Sequence, residues 1–305
     1  MSNKMTKILL AGSNGFIGSH LSIQLAKQAT ISSIGYEYGP SEKDFINLDL
    51  TDIKQINDFA ENRDHFDVLI FLVGLAHTKG TGKELPEFKK VNYQTLVNLL
   101  SVLADNNKVP GKIIFASTIS VYGEKYNQNI YREDSKKSPF SPYAVTKLEA
   151  EQYLKENFGN RSWILRFAPV YSSDFFLNID RRTKIGKNFY RVGKGSKKLS
   201  LCNVVNIKAA IEVIINGNVP AGIYNLSDPI EYSYNDLLEW SNAGKVIRIP
   251  QFTVSMLYYL GKLFNSTFIK ENTVKLISDN IFPSDKIRSY IDFPTTMNDV
   301  KPVND

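Results

Sequence analysis

Short apolar runs alternate with stretches of helical spacing along the first half of the chain. Lys7–Ala11 is apolar and leads directly into Gly12-Ser-Asn-Gly15-Phe-Ile-Gly18, after which Leu21, Leu25 and Ala26 recur at helical intervals over Ser19–Gln28. That order predicts strand, glycine turn and helix. Further apolar runs at Thr30–Ile34, Val68–Val73, Lys112–Ala116 and Ser162–Arg166 alternate with helical patterns near Asp52–Glu61, Phe88–Asn106 and Pro142–Asn157. Such alternation predicts a doubly wound parallel sheet flanked by helices. Beyond Val170 the pattern loosens into a polar, basic stretch, Ser172–Ser200, read as loop, followed by a helix near Asn206–Asn216 and a strand at Ile223–Leu226. A smaller C-terminal α/β lobe is expected there. The predicted division is residues 1–171, with about 203–226, for the sheet domain and residues 172–202 and 227–305 for the lobe. Val254–Phe264 is amphipathic, and the tail from Asn280 has no pattern that assigns it an element.

Composition narrows the class. Of 305 residues, 43% are hydrophobic and 22% charged, which fits a globular chain rather than a disordered one. The net charge of +6 would suit an anionic small molecule, a nucleic acid or an acidic membrane surface alike. One cysteine, Cys202, cannot form an internal disulfide, and His20, His65 and His77 lack structural zinc spacing, so no metal site and a cytoplasmic location are expected. The first apolar run breaks at Gly12, far short of the roughly 20 residues that span a bilayer, so neither a signal peptide nor membrane insertion is expected.

A strand that ends in GxxGxxG and opens a helix presents backbone N–H groups where the helix dipole favours a pyrophosphate. Gly12 would make the turn, Gly15 would admit the phosphates, and Gly18 would let the helix pack on the strand, with Phe16 and Ile17 in the first helical turn. Three glycines can also be a mere compact turn; their place after the first strand favours a dinucleotide and a Rossmann-type sheet. An acidic side chain at the end of the second strand would accept the adenosine ribose hydroxyls and select NAD. Tyr36 stands at that place and Glu37 one step later, and no Arg or Lys precedes Lys43 to meet a 2′-phosphate. NAD is therefore expected with NADP left open. Glu37 reads equally as ribose ligand or solvated carboxylate, and Asp49 as an adenine contact or a helix-leading acid.

Ser141-Pro142-Tyr143 reads as a helix start, and Tyr143 and Lys147 then share one helix face. A tyrosine is a poor base at neutral pH, but a nearby ammonium favours its phenolate. Tyr190/Lys194 and Tyr258/Lys262 match the same spacing, so the spacing alone decides nothing. What distinguishes the first pair is the run Phe115-Ala-Ser-Thr118, which puts hydroxyls at the carboxyl end of a predicted strand, where ligands bind in such sheets.

With these residues the sequence resembles the extended short-chain dehydrogenase/reductase family, and within it the NAD-dependent epimerase/dehydratase group acting on nucleotide sugars. The resemblance rests on Gly12/Gly15/Gly18, Asp49-Leu50, Gly74-Leu75-Ala76, Val91-Asn92, Ser117-Thr118, Val121-Tyr122-Gly123, Tyr143/Lys147, Leu165-Arg166, Val170-Tyr171 and Gly222-Ile-Tyr-Asn225. Thr118 lies 25 positions before Tyr143, as the sugar-binding hydroxyl does in the family. The resemblance implies that Thr118, Tyr143 and Lys147 are catalytic, that Asp49, Leu50, Gly74 and Ala76 line the cofactor, that Asn92 fixes the active-site helix and that Lys147 holds the nicotinamide ribose. Ser117 would join Thr118 at the substrate, and His77 would line its pocket or stand as an ordinary loop histidine. It also implies a homodimer paired through Phe88–Asn106 and Pro142–Asn157.

The departures are as informative. An Asp-Glu pair after the catalytic Thr serves sugar 4,6-dehydratases of the family; Ile119-Ser120 stands here, so a dehydratase is not expected. Pro169 replaces the usual Asn, and Leu199 the usual phosphate-binding Arg, with Lys197 and Lys198 as point-charge substitutes or as members of a solvated loop. The basic stretch Arg181–Lys194 is expected to cover a nucleotide diphosphate rather than bind nucleic acid. Two enzymes share the machinery: a UDP-hexose or UDP-N-acetylhexosamine 4-epimerase of surface polysaccharide precursor synthesis, and a 4-ketoreductase of a nucleoside-diphosphate 4-keto-6-deoxy sugar. A non-catalytic dinucleotide-binding regulator keeps the glycine turn without the chemistry. The Val254–Phe264 segment reads as a packed helix before a membrane or partner contact.

Overall fold

The computed structural model describes residues 5–36, 45–76, 85–123, 125–126 and 128–302. The chain opens β1 (Thr6–Ala11), α1 (Phe16–Leu25), β2 (Ala29–Gly35), β3 (Phe45–Asn47), α2 (Ile53–Glu61) and β4 (Val68–Phe71). Ile8–Ala11 and all of β4 are buried, as strands covered on both faces must be. Asp52 caps α2, accepting from the N–H groups of Lys54 and Gln55 at 2.9 and 3.2 Å. The helix expected over Phe88–Asn106 is three pieces: α3 (Leu85–Lys89), a π-helical turn (Lys90–Gln94) and α4 (Thr95–Asp105). β5 (Lys112–Thr118), α5 (Pro142–Phe158) and β6 (Ser162–Phe167) follow.

The sheet has seven strands in the order β12-β6-β5-β4-β1-β2-β3, where β12 is Gly222–Leu226. β1 pairs in parallel with both β2 and β4, so the strand order reverses at β1. The crevice beyond its carboxyl end is where ligands bind in doubly wound sheets. Leu9, Phe71, Leu96, Leu100, Phe115, Leu154 and Ile164 form the core on one sheet face.

Between β6 and β12 lie β7 (Val170–Tyr171), α6 (Leu177–Thr183), β8 (Lys184–Ile185), β9 (Asn188–Val192), β10 (Lys198–Leu199), β11 (Cys202–Asn203) and α7 (Val204–Ile215). Ser172–Ser200 is therefore not the loop its polarity suggested; Ile179, Tyr190, Val192 and Leu199 are buried among polar neighbours, too sparsely spaced to show a period. After β12 come β13 (Tyr232–Ser233), α8 (Tyr234–Trp240), β14 (Val246–Ile249), α9 (Gln251–Leu263), α10 (Thr267–Ile277) and α11 (Asp285–Arg288). The tail thus holds a short helix and a 3-10 turn, Met297–Asp299, closed by a capping box from Thr296.

Two compact units emerge. One comprises residues 1–117, 142–165 and 214–223, the other residues 118–141, 166–213 and 224–305. The first holds the core described above; the second is built on Tyr171, Ile179, Leu199, Leu201, Tyr232 and Leu237.

Candidate active site

At the end of β1, Gly12 turns the chain with φ +83° and its N–H donates to the Ile34 carbonyl at 2.9 Å. A side chain there would press on the Leu72–Val73 backbone at about 3.0 Å. Gly15 forms the N-cap of α1 without any side-chain capping bond, so the first turn offers its amides to a ligand. At Gly18 a Cβ would stand 2.2 Å from the Gly12 carbonyl oxygen, so only glycine lets α1 lie this close to the turn. The Ser13 hydroxyl is buried with no hydrogen-bond partner among the described residues. A buried hydroxyl with no partner beside a helix N-terminus is what a pyrophosphate would satisfy, and the turn fits a dinucleotide. Phe16 and Ile17 stand in that first turn. Asp49 is half-buried and accepts from the Thr51 N–H at 2.8 Å, and Leu50 beside it is buried. Glu37 and His77 lie outside the described residues.

Lys147 lies on α5, one turn after the half-buried Tyr143. Its ammonium is buried, donating to the carbonyls of Val73 at 3.1 Å and Ala116 at 2.9 Å, and it sits 4.7 Å from the centroid of the Phe115 ring. Burial pushes its pKa down to about 7, with Glu151 opposing the shift. Gly74 passes directly over it, where a Cβ would meet Nζ at 3.1 Å. The Gly74–Ala76 segment is pinned by Asn92, whose Oδ1 accepts from the Leu75 N–H at 2.6 Å while its Nδ2 donates to Thr146 Oγ1 at 3.1 Å. Asn92 sits in the π-helical turn, and π-turns of this kind re-aim side chains at functional sites. The sequence offered no signal for that turn.

Ser117 and Thr118 end β5 but face different tasks. Ser117, expected at the substrate, is buried and donates to Glu151 at 2.5 Å, so its hydroxyl serves the packing of α5 on β5. Thr118 opens the second unit, accepting from the Ser120 N–H at 3.2 Å and keeping its own O–H to donate. Gly123, at φ +62°, ends the turn where any Cβ would collide with the Ser138 carbonyl.

The Val-Tyr-Gly, Leu-Arg and Ile-Tyr-Asn motifs converge inside the second unit. Tyr122 donates to Asn225 Oδ1 at 2.6 Å and accepts from the buried Arg166 at 2.9 Å. Arg166 also donates to the Glu133 carbonyl at 3.2 Å. These residues brace the framework; nothing in their geometry asks for a ligand. Sequence reasoning missed a second buried network: Asp228 accepts from the hydroxyls of Tyr171 and Tyr232, the Asn203 N–H and the Asn206 amide, each at 2.8 Å. Burial raises its carboxyl pKa to about 6.

A cleft in the second unit is lined by Ile119, Pro169, Arg182, Leu199, Tyr234, Lys275 and Asn280, among others. Both departures from the family pattern, Pro169 and Leu199, fall on its wall. Lys197 and Lys198, expected to replace the missing Arg, do not line it: Lys198 is exposed and faces Glu231 at 3.9 Å. Arg182 and Lys275 are the cations there, and Asn280, whose buried Oδ1 has no hydrogen-bond partner among the described residues, also lines it. The other Tyr-x3-Lys pairs drop out, because Tyr190 is in a strand and Tyr258 packs on Tyr126 at 5.5 Å between ring centroids. Among the described residues no group of three or more His, Cys, Asp or Glu could hold a metal.

Comparison with known proteins gives the family and the fold. The family model described as NAD dependent epimerase/dehydratase family matches residues 8–227. A protein of Bacillus subtilis (strain 168) described as an uncharacterized UDP-glucose epimerase, YtcB, is 36% identical over 186 residues, 54% of this chain and 57% of its own. UDP-arabinose 4-epimerase 1 of Arabidopsis thaliana is 28% identical over 56% of this chain and 44% of its own. The chain therefore spans about half the length of the curated relatives it matches. Among solved structures, UDP-glucuronic acid 4-epimerase from Bacillus cereus in complex with NAD superposes with a TM-score of 0.70 at 20% identity, covering 96% of this chain and 93% of its own. UDP-glucose 4-epimerase of Thermotoga maritima with UDP-glucose gives 0.71 at 18% identity, covering 98% and 94%. At these identities the likeness establishes a common fold.

Proposed function

The chain belongs to the NAD dependent epimerase/dehydratase family, with NAD as its cofactor, and on that footing we propose that it inverts C4 of a UDP-hexose or UDP-N-acetylhexosamine by transient oxidation. NAD, when bound, supplies a hydride acceptor and donor at the sugar carbon. The chain's residues do the rest. The α1 amides and Ser13 hold the pyrophosphate. Gly74, beneath which Lys147 is buried, leaves room for the nicotinamide ribose, and Lys147 binds its hydroxyls. The same ammonium, one turn from Tyr143, favours the phenolate that takes the C4 hydroxyl proton, and Thr118 keeps its hydroxyl to donate to the sugar. Ile119 and Ser120 carry no carboxyl group, so neither position offers the acid and base of an elimination.

The burial of Lys147 under Gly74, its ammonium held by the carbonyls of Val73 and Ala116, carries this reading. Arg182 and Lys275 on the cleft wall take over the diphosphate contact that Leu199 cannot make. The enzyme would work in the cytoplasm as a homodimer paired through α4 and α5, in the supply of surface polysaccharide precursors.

The test is incubation of the purified protein with UDP-glucose and UDP-N-acetylglucosamine, with the C4 epimers read by NMR. Product without added reductant supports the proposal, and Tyr143→Phe should then lower kcat by about 10²–10⁴ while retaining NAD. Consumption of NADPH or NADH only with a 4-keto-6-deoxy sugar nucleotide would assign the ketoreductase instead. Catalysis untouched by Tyr143→Phe would remove that residue from the chemistry.

A further inference from the structure

Helix α9 is apolar on two opposite sides. Val254 and Gly261 are buried, and a Cβ at Gly261 would sit 2.8 Å from Ile269, so this side is closed by α10. Phe252, Met256, Tyr259 and Leu263 follow at i, i+4, i+7 and i+11, a stripe directed away from the buried side, and Phe264 extends it past the last turn. Phe252 is 72% exposed, Leu263 and Phe264 75% each. A helix apolar all round is ordinarily covered all round, and exposed apolar stripes of this kind mark contact surfaces. The expectation of a simply packed helix thus accounts for only one of its sides.

Charge indicates what covers the other. Residues 241–270 contain Lys245, Arg248, Lys262 and Lys270 and no Asp or Glu. Lys245 and Arg248 precede the helix, Lys262 stands in its last turn, and all three are exposed. A thirteen-residue helix is about 20 Å long, too short to cross a bilayer, and no helix among the described residues is long and apolar enough to do so. Aromatic and aliphatic side chains on one side with flanking cations are the composition of a helix lying in a membrane interface. A second copy fits less well: a two-fold contact would set the face against itself, bringing cations to like cations with no carboxylate in the segment to answer them.

We propose that the outer face of α9 docks on an anionic lipid surface, the helix lying in the plane of the interface with Phe252, Met256, Tyr259 and Leu263 in the headgroup boundary and Arg248 and Lys262 on the lipid phosphates. The proposal uses none of the residues placed in the site, so it stands or falls independently of the substrate.

The full chain is sedimented with large vesicles of phosphatidylglycerol and phosphatidylcholine, and separately with phosphatidylcholine alone. The protein should pellet with the anionic vesicles and be released as salt rises. The double variant Phe252→Ser/Leu263→Ser should bind them about tenfold or more weakly, and Arg248→Glu/Lys262→Glu should lose the preference for anionic lipid. Both variants should keep the melting temperature and the NAD binding of the parent. Parent protein left in the supernatant, or a Phe252→Ser/Leu263→Ser variant that pellets as well as the parent, overturns the proposal. So does a parent that is dimeric without vesicles and becomes monomeric in the double variant, since a second copy then covers the face.

Discussion

Asn92 Nδ2 donates to Thr146 Oγ1 at 3.1 Å, linking the π-helical turn to α5 one residue before Lys147. The same side chain holds both the N–H and the carbonyl of Leu75. One fully buried amide therefore sets the height of the Gly74 segment and of the helix that carries Tyr143 and Lys147. In Asn92→Ala these partners lose a common anchor in a site closed to water, which should cost about 2–4 kcal/mol. Urea unfolding measures this, and a change below about 0.5 kcal/mol would show that the contact is dispensable.

Gly18→Ala tests the glycine turn. Its Cβ would fall 2.2 Å from the Gly12 oxygen and 2.7 Å from the Ser13 Cα, both backbone, so α1 must move outward. Overpacking of this kind costs about 1–3 kcal/mol, and NAD affinity should fall by roughly tenfold or more as the amides leave their positions. Calorimetric titration with NAD reads the change; unaltered affinity would mean that the turn does not grip the cofactor.

Lys147 gives stability a pH dependence in the cofactor-free protein. Its folded pKa is about 7, below the 10.5 of an ordinary lysine, because burial disfavours the ammonium. Between these values the unfolded chain holds a proton that the folded chain lacks, so stability rises with pH across that window and is flat with respect to this group below it. Melting temperatures of the parent, compared with Lys147→Met from pH 6 to 9, should climb relative to the variant. Parallel curves would place the ammonium in water.

Asp228 has the opposite sign. Its folded pKa of about 6 lies above the 3.8 of an ordinary aspartate, with burial the larger cause and its hydrogen bonds opposing. The folded state binds the proton more tightly, so the contribution is greatest below about pH 4 and is lost as pH rises through 6. The stability advantage of the parent over Asp228→Asn should shrink from pH 4 to 6.5 in chemical denaturation, and a widening gap would reverse the assignment.

The glycine turn, the strand–helix alternation and the Tyr143/Lys147 pair could all be read along the chain because each depends on neighbours within a few positions. A strand end, a helix start and an i, i+4 pair are local geometry, and buried parallel strands announce themselves as apolar runs. Thr118 is expected at the site from its spacing to Tyr143, which the family fixes rather than the local sequence. Ser117 shows the limit of that reading: next to Thr118 in sequence, it points to Glu151 because successive strand residues face opposite sides of the sheet.

Long-range pairings decided what the sequence left open. Arg182 and Lys275, from α6 and α10, share a cleft wall with Leu199 and the adjacent lysines do not line it, because folding and not sequence order sets what shares a wall. The Asp228 network joins side chains 4 to 57 positions away. The outer face of α9 is apolar in the sequence, yet only the packing of Val254 and Gly261 shows which of its two apolar sides is taken. Local spacing determined the elements and the glycine turn; burial, a property of the whole folded chain, determined the lowered pKa of Lys147, the hydrogen bond of Ser117 to Glu151 and the side of α9 left facing outward.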